Sequence, residues 1–75
     1  GSWIEVELTE EGKGGSDFEI EAMDLLGRIT ESETIPRPLG KIHCRFDTSN
    51  WNRGVYLIRL KKNGVLLGVR KVILN

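Results

Sequence analysis

The alternation of apolar and charged residues limits this chain more than any other feature. From Trp3 to Leu8, Ile4, Val6 and Leu8 fall on one side, and Glu5 and Glu7 on the other. A period of two is the signature of a strand with one buried face. The pattern returns from Asp17 to Asp24, with Phe18, Ile20 and Ala22 inward and Glu19 and Glu21 outward. It returns from Lys41 to Asp47, with Ile42, Cys44 and Phe46 inward and Lys41, His43 and Arg45 outward. From Val55 to Lys61, Tyr56, Ile58 and Leu60 share one face, opposite Val55, Leu57, Arg59 and Lys61.

Turn signals separate these stretches. Glu10 to Ser16 is glycine-rich, and Leu25-Leu26-Gly27 is a turn in which Gly27 suits a positive φ. Pro36 and Pro38 break Ile35 to Gly40, because proline is excluded from central strands. Lys62-Asn63-Gly64 is the clearest hairpin turn. Arg28 to Thr34 is polar and weakly strand-like, and Val65 to Leu74 is a last strand with a bulge expected at Gly68. No ten-residue stretch carries a helical stripe. Strands at spacings near ten residues predict an all-β fold: a small antiparallel sandwich of six to seven strands, immunoglobulin-like or fibronectin-III-like.

At 75 residues there is room for one domain, assigned to 3–75. Gly1-Ser2 reads as a tag-removal scar, so the chain is expected to be a piece of a larger protein. No apolar run exceeds four residues, too few to span a bilayer, and no basic start leads into an apolar signal-peptide segment. Cys44 is the only cysteine and His43 the only histidine, which excludes an internal disulfide and a four-ligand Cys/His zinc site. No cofactor and no metal are expected.

Net charge is zero but unevenly spread. Residues 1–35 hold ten acids and two bases, while residues 36–75 hold nine bases and one acid. A basic nucleic-acid face with an acidic tail is one reading. Pairing of the two halves as strands is the simpler one, because the charges fall on outward faces, and no nucleic-acid partner is expected. The imbalance also bears on topology. If the first strand pairs the fourth and the second the fifth, Glu5 and Glu7 face Lys41, His43 and Arg45, and Glu19 and Glu21 face Arg59 and Lys61. A meander would set acid beside acid. Such pairs contribute only about 0.2–1 kcal/mol each, enough to select a pairing but not to hold the fold together.

Catalytic constellations are scarce. Gly12-Lys13-Gly14-Gly15-Ser16 lacks phosphate-loop spacing and no helix follows it, so it reads as a hairpin loop. His43 and Cys44 are strand neighbours pointing to opposite faces and cannot form a dyad. Cys44 reads as a small core residue and His43 as solvated. The acids follow the outward strand pattern rather than a paired-carboxylate site. Trp3, Trp51 and Tyr56 could stack a sugar. The structural alternative has Trp51 plugging the open end of the sandwich and Tyr56 making a corner hydrogen bond. The last strand is apolar on both faces through Val65, Leu66, Leu67, Val69, Val72, Ile73 and Leu74. Such a strand is either covered or offered to a partner, so strand addition or an edge-strand homodimer is expected.

Three blocks resemble a known family. Phe18-Glu19-Ile20-Glu21-Ala22-Met23-Asp24-Leu25-Leu26-Gly27-Arg28-Ile29 resembles a strand ending in an Asp-x-x-Gly-Lys/Arg turn. Phe46-Asp47-Thr48-Ser49-Asn50-Trp51-Asn52-Arg53-Gly54-Val55-Tyr56-Leu57-Ile58-Arg59-Leu60 follows, and after Lys62-Asn63-Gly64 the chain closes on Arg70-Lys71-Val72-Ile73-Leu74-Asn75. Together, over about residues 16–75, they are similar to the C-terminal sorting domain of the type IX secretion system of Bacteroidetes. The family's usual Tyr-Pro-Asn-Pro opening has no counterpart here. The resemblance implies a seven-stranded sandwich without catalysis. Such a domain sends a cargo across the outer membrane, to be secreted or held at the cell surface by way of the periplasm. It also implies recognition positions at Asp24, Gly27, Asp47, Gly54, Tyr56 and Lys71, and in the terminal strand at Arg70, Val72, Ile73 and Leu74. The expected partner is a secretion-machinery protein reading that strand. The other reading is a non-catalytic immunoglobulin-like accessory module, a spacer or a carbohydrate- or protein-binding unit of a larger secreted protein.

Overall fold

The structure is a computed structural model and describes residues 2–10, 15–36 and 40–75. Six strands follow in chain order: β1 Trp3–Glu10, β2 Phe18–Asp24, β3 Ile29–Ile35, β4 Gly40–Asp47, β5 Gly54–Lys62 and β6 Val65–Leu74. They form two antiparallel sheets, β1-β4 and β3-β2-β5-β6. The described residues therefore give six strands where the family resemblance implies seven. The polar Arg28–Thr34 stretch forms most of a full strand, β3, which runs one residue later, from Ile29 to Ile35. Of the Gly12–Ser16 loop only Gly15 and Ser16 are described, and Arg37 to Leu39 of the proline break also lie outside the described residues.

The first strand pairs the fourth and the second pairs the fifth, as the charges required. Glu5 stands opposite Arg45, Glu7 opposite His43, Glu19 opposite Lys61 and Glu21 opposite Arg59. Arg45 reaches Glu5 at 3.1 Å, and His43 Nε2 lies 3.6 Å from the same carboxylate. Lys41 lies 3.9 Å from Glu7. On the other sheet Arg59 reaches Glu21 at 2.7 Å, and Lys61 lies 3.2 Å from Glu21 and 3.8 Å from Glu19.

One member of this ladder departs from the sequence reading. Glu21 points outward, yet its side chain is only 7% exposed. The Arg59 guanidinium and the Lys61 ammonium, themselves half-buried, converge on one oxygen of its carboxylate. Burial pushes the Glu21 carboxyl up and is the largest single influence, but Lys61 and Arg59 together outweigh it and hold the pKa below the ordinary range.

Between the sheets Ile20, Ala22 and Ile58 pack against Ile4, Cys44 and Phe46. Phe46 and Ile20 are the largest fully buried side chains. Cys44 is buried in this layer and His43 is exposed on the opposite face, as the alternation predicts. Burial pushes the Cys44 thiol up, and the Glu33 and Glu31 charges add to the effect. The β5–β6 hairpin closes on Asn63 and Gly64, both with positive φ, which is the two-residue turn that matches strand twist. Further along, the pairing shifts by one residue beside Gly68, leaving Leu67 as the bulge.

The two arms of the charge ladder should differ in strength. Glu21→Ala removes hydrogen bonds to two half-buried cations and should cost about 1.5–3 kcal/mol. Glu5→Ala removes exposed pairs and should cost under about 1 kcal/mol. Urea unfolding of both variants, compared with wild type, measures the difference.

Candidate recognition site

The residues carrying the family resemblance are held mainly by turns at one end of the sandwich. The β2–β3 turn is built on Asp24. Its Oδ1 accepts the backbone N–H of Leu26 at 2.9 Å and of Arg28 at 3.0 Å. Its Oδ2 accepts Arg28 Nε at 2.9 Å, and its carbonyl accepts the Gly27 N–H at 3.1 Å. Gly27 has φ 86°, so a side chain there would strain the backbone. The Arg28 N–H is the main cause, with help from the guanidinium and the Leu26 N–H, of an Asp24 pKa below the ordinary range.

The β4–β5 corner is built on Asp47 in the same way. Its Oδ1 accepts the Ser49 hydroxyl at 2.6 Å and the Ser49 N–H at 2.9 Å, which depress its pKa. The Thr48 N–H donates to the Ser2 carbonyl at 2.9 Å, and the Trp51 N–H to the Thr48 carbonyl at 3.0 Å. Trp51 is half-buried, its ring centroid 6.2 Å from that of Phe46 and 4.9 Å from that of Tyr56. It serves as the plug of this end. Tyr56 is buried and its hydroxyl donates to the Asn52 carbonyl at 2.6 Å, completing a tyrosine corner. Gly54 opens β5 at φ 143°, where the conformation rather than lack of space favours glycine.

Strand register gathers these residues with the chain end. Asp24 stands opposite Tyr56, Tyr56 opposite Val72, and Gly54 opposite Leu74. Val72 and Leu74 face the core and pack against it, while Lys71 and Ile73 fall on the outer face, opposite Leu57 and Val55. Arg70 stands opposite Ile58, on the core-side face. The apolar residues found on both faces of this strand in the sequence are thus divided between anchors and exposed groups. Val65, Leu66, Leu67, Val69 and Ile73 are between 47% and 63% exposed. The sequence reading took Leu25-Leu26 only as a turn. Both are exposed at the same end of the molecule, beside exposed Ile29.

Both β6 and β1 lack a second neighbour among the described strands. Between them runs a groove of about 530 Å³ whose walls include Ile4, Val6 and Leu8 on one side and Gly68, Arg70 and Val72 on the other. Among the described residues no cluster of His, Cys, Asp and Glu could hold a metal ion. No helix of the described chain is long and apolar enough to cross a membrane.

The model of the secretion system C-terminal sorting domain matches residues 2–75. The chain belongs to this family. Its members are sorting signals of the type IX secretion system of Bacteroidetes, recognised by that machinery and not known for catalysis. A sorting domain of this kind implies export to the cell surface or beyond as part of a larger precursor. No curated protein and no solved structure matches the chain.

Two outcomes follow for the turns of this sorting domain. Tyr56→Phe should lose about 0.5–1.5 kcal/mol in urea unfolding, the net value of one hydrogen bond, with the fold retained. Asp24 and Asp47 have folded pKa values below their unfolded ones, so their contribution is complete above the ordinary aspartate range and is lost as pH falls through it to the folded values. The urea midpoint should therefore drop on acidification below about pH 4. Asp24→Asn and Asp47→Asn should each flatten that acid limb.

Proposed function

We propose that the secretion machinery reads strand β6, and above all its Arg70–Leu74 segment, while Asp24, Gly27, Asp47, Gly54 and Tyr56 serve recognition by fixing the end of the sheet on which that segment lies. The observation that supports this most is the exposure of a ten-residue edge strand that keeps five large apolar side chains at the surface. Monomeric soluble domains rarely leave such an edge bare unless it meets a partner. Adding a strand to β6 would satisfy its free backbone groups, and the exposed side chains would supply selectivity. Lys71 and Ile73 face outward and are the side chains a receptor would meet first, with Arg70 at the rim of the groove. The precursor would reach that receptor from the periplasm with the domain already folded.

Export of a reporter tests the reading. Residues 3–75 are fused to the C-terminus of a signal-peptide-bearing fluorescent protein in a host with type IX machinery. Wild type should place the reporter outside the cell. Arg70→Glu with Lys71→Glu should trap it in the periplasm, although the isolated domain keeps its unfolding free energy to within about 1 kcal/mol, as for exposed charges. Full export of that folded variant would sink the proposal. Removing Arg70–Asn75 altogether is a less clean test, because Val72 and Leu74 also anchor the core.

A further inference from the structure

Among the described residues the four-stranded sheet ends on two bare strands of opposite charge. At one edge β3 carries Glu31 and Glu33 and no base. At the other β6 carries Arg70 and Lys71 and no acid. All four residues are exposed, and none has an ion-pair partner among the described residues.

Register fixes the face on which three of these charges stand. Glu31 is opposite Ala22 and Glu33 opposite Ile20, two core residues, so both glutamates lie on the core-side face of their strand. They lie close enough to Cys44 for their charges to act on its thiol. Arg70, opposite buried Ile58, lies on the same face at the far edge. Charges on the inward face of a bare strand are a device against unwanted edge pairing. Here they prevent like edges from meeting. Two β3 strands paired antiparallel about Ser32 would set Glu31 against Glu33 of the second copy, twice. Two β6 strands would bring four cations into one ladder with no acid to answer them. Of the pairings between the edges of this sheet, only β6 against β3 sets opposite charges together.

Strand direction permits that pairing. Three antiparallel steps separate β3 from β6, so the two edges run in opposite directions. A second copy laid beside the first in the same orientation presents its β3 antiparallel to β6, with both core-side faces on the same side. With Arg70 opposite Glu31 of that copy, Glu33 falls two residues along the same face, within diagonal reach. We propose that the chain associates with itself head to tail, β6 of one copy adding to β3 of the next and continuing the four-stranded sheet. Each contact leaves one β3 and one β6 free, so the assembly grows by addition rather than closing as a dimer. The contact is independent of the sorting reading, although it occupies the strand that reading assigns to the machinery.

Sedimentation velocity of the 75-residue chain over a wide concentration range, at low and at high salt, tests this. Mass should rise with concentration past a dimer, and high salt should weaken the contact, because exposed charges are screened. Glu31→Lys with Glu33→Lys, and separately Arg70→Glu with Lys71→Glu, should each weaken association about tenfold or more. An equimolar mixture of the two variants should associate again, since each then offers edges complementary to the other. Should either variant lose its fold by circular dichroism, the Gln pairs at the same positions replace it, without the mixing step. A wild type that stays monomeric, a closed dimer, or variants that associate like wild type would overturn the proposal. The lysine variant also separates the two readings: it should lose association and still be exported.

Discussion

A narrow sheet lying on a wide one is the constraint on which the rest of the molecule depends. Ile4, Cys44 and Phe46 of β1-β4 cover Ile20, Ala22 and Ile58, on the two central strands of β3-β2-β5-β6. Two strands can shield only two others, so the outer strands of the wide sheet extend past their cover. Glu31 and Glu33 overhang on one side, Gly68 and Arg70 on the other. The polar character of β3 and the groove beside β6 have this single geometric origin. Edge positions with no sheet above them do not need to be apolar, and here they carry charge.

A domain of this size, with no disulfide, has little core to spare. The polar turns add what the core lacks. Asp24 and Asp47 each gather two or more donors around one carboxylate, and Tyr56 locks the corner between them. Each interaction is modest, but together they fix the entry to β3 and β5 and hence the position of the last residues of β6. The residues on which the family resemblance rests are therefore, in large part, those that hold the open end of the sandwich in shape.

Much of this could be read from the alternation alone. The strand pattern gave the inward set correctly from Ile4 to Ile58, and the split of acids and bases selected the 1–4 and 2–5 pairings. Tyr56 and Trp51 took the roles their place after a polar corner suggested. What could not be read was which edges stay bare, because that depends on the widths of two sheets rather than on any strand's own pattern. β3 looked weak because its composition was judged as though both its faces needed a core. Glu21 looked solvated because period two assigns it a face but does not report that Arg59 and Lys61 both close on its carboxylate there. Leu25 and Leu26 read as turn residues and are turn residues, but the pattern does not report that the Asp24 turn holds both side chains out in solvent.

The arrangement of β6 suggests why a recognition segment would be a strand rather than a flexible tail. A disordered tail loses about 1–2 kcal/mol of backbone freedom per residue when a receptor fixes it as a strand. In β6 that cost is already met within the folded domain: β5 supplies a ladder from Gly54 to Lys62, and Val72 and Leu74 hold the far end to the core. A receptor adding to its free edge would need to order only its own segment. The same preparation makes the edge attractive to any exposed strand, and its charges then become selective: Arg70 and Lys71 disfavour basic strands and favour acidic ones. On this argument the small domain needs no pocket. Under the proposed reading its specificity would rest on a preformed edge and the sign of the charge beside it.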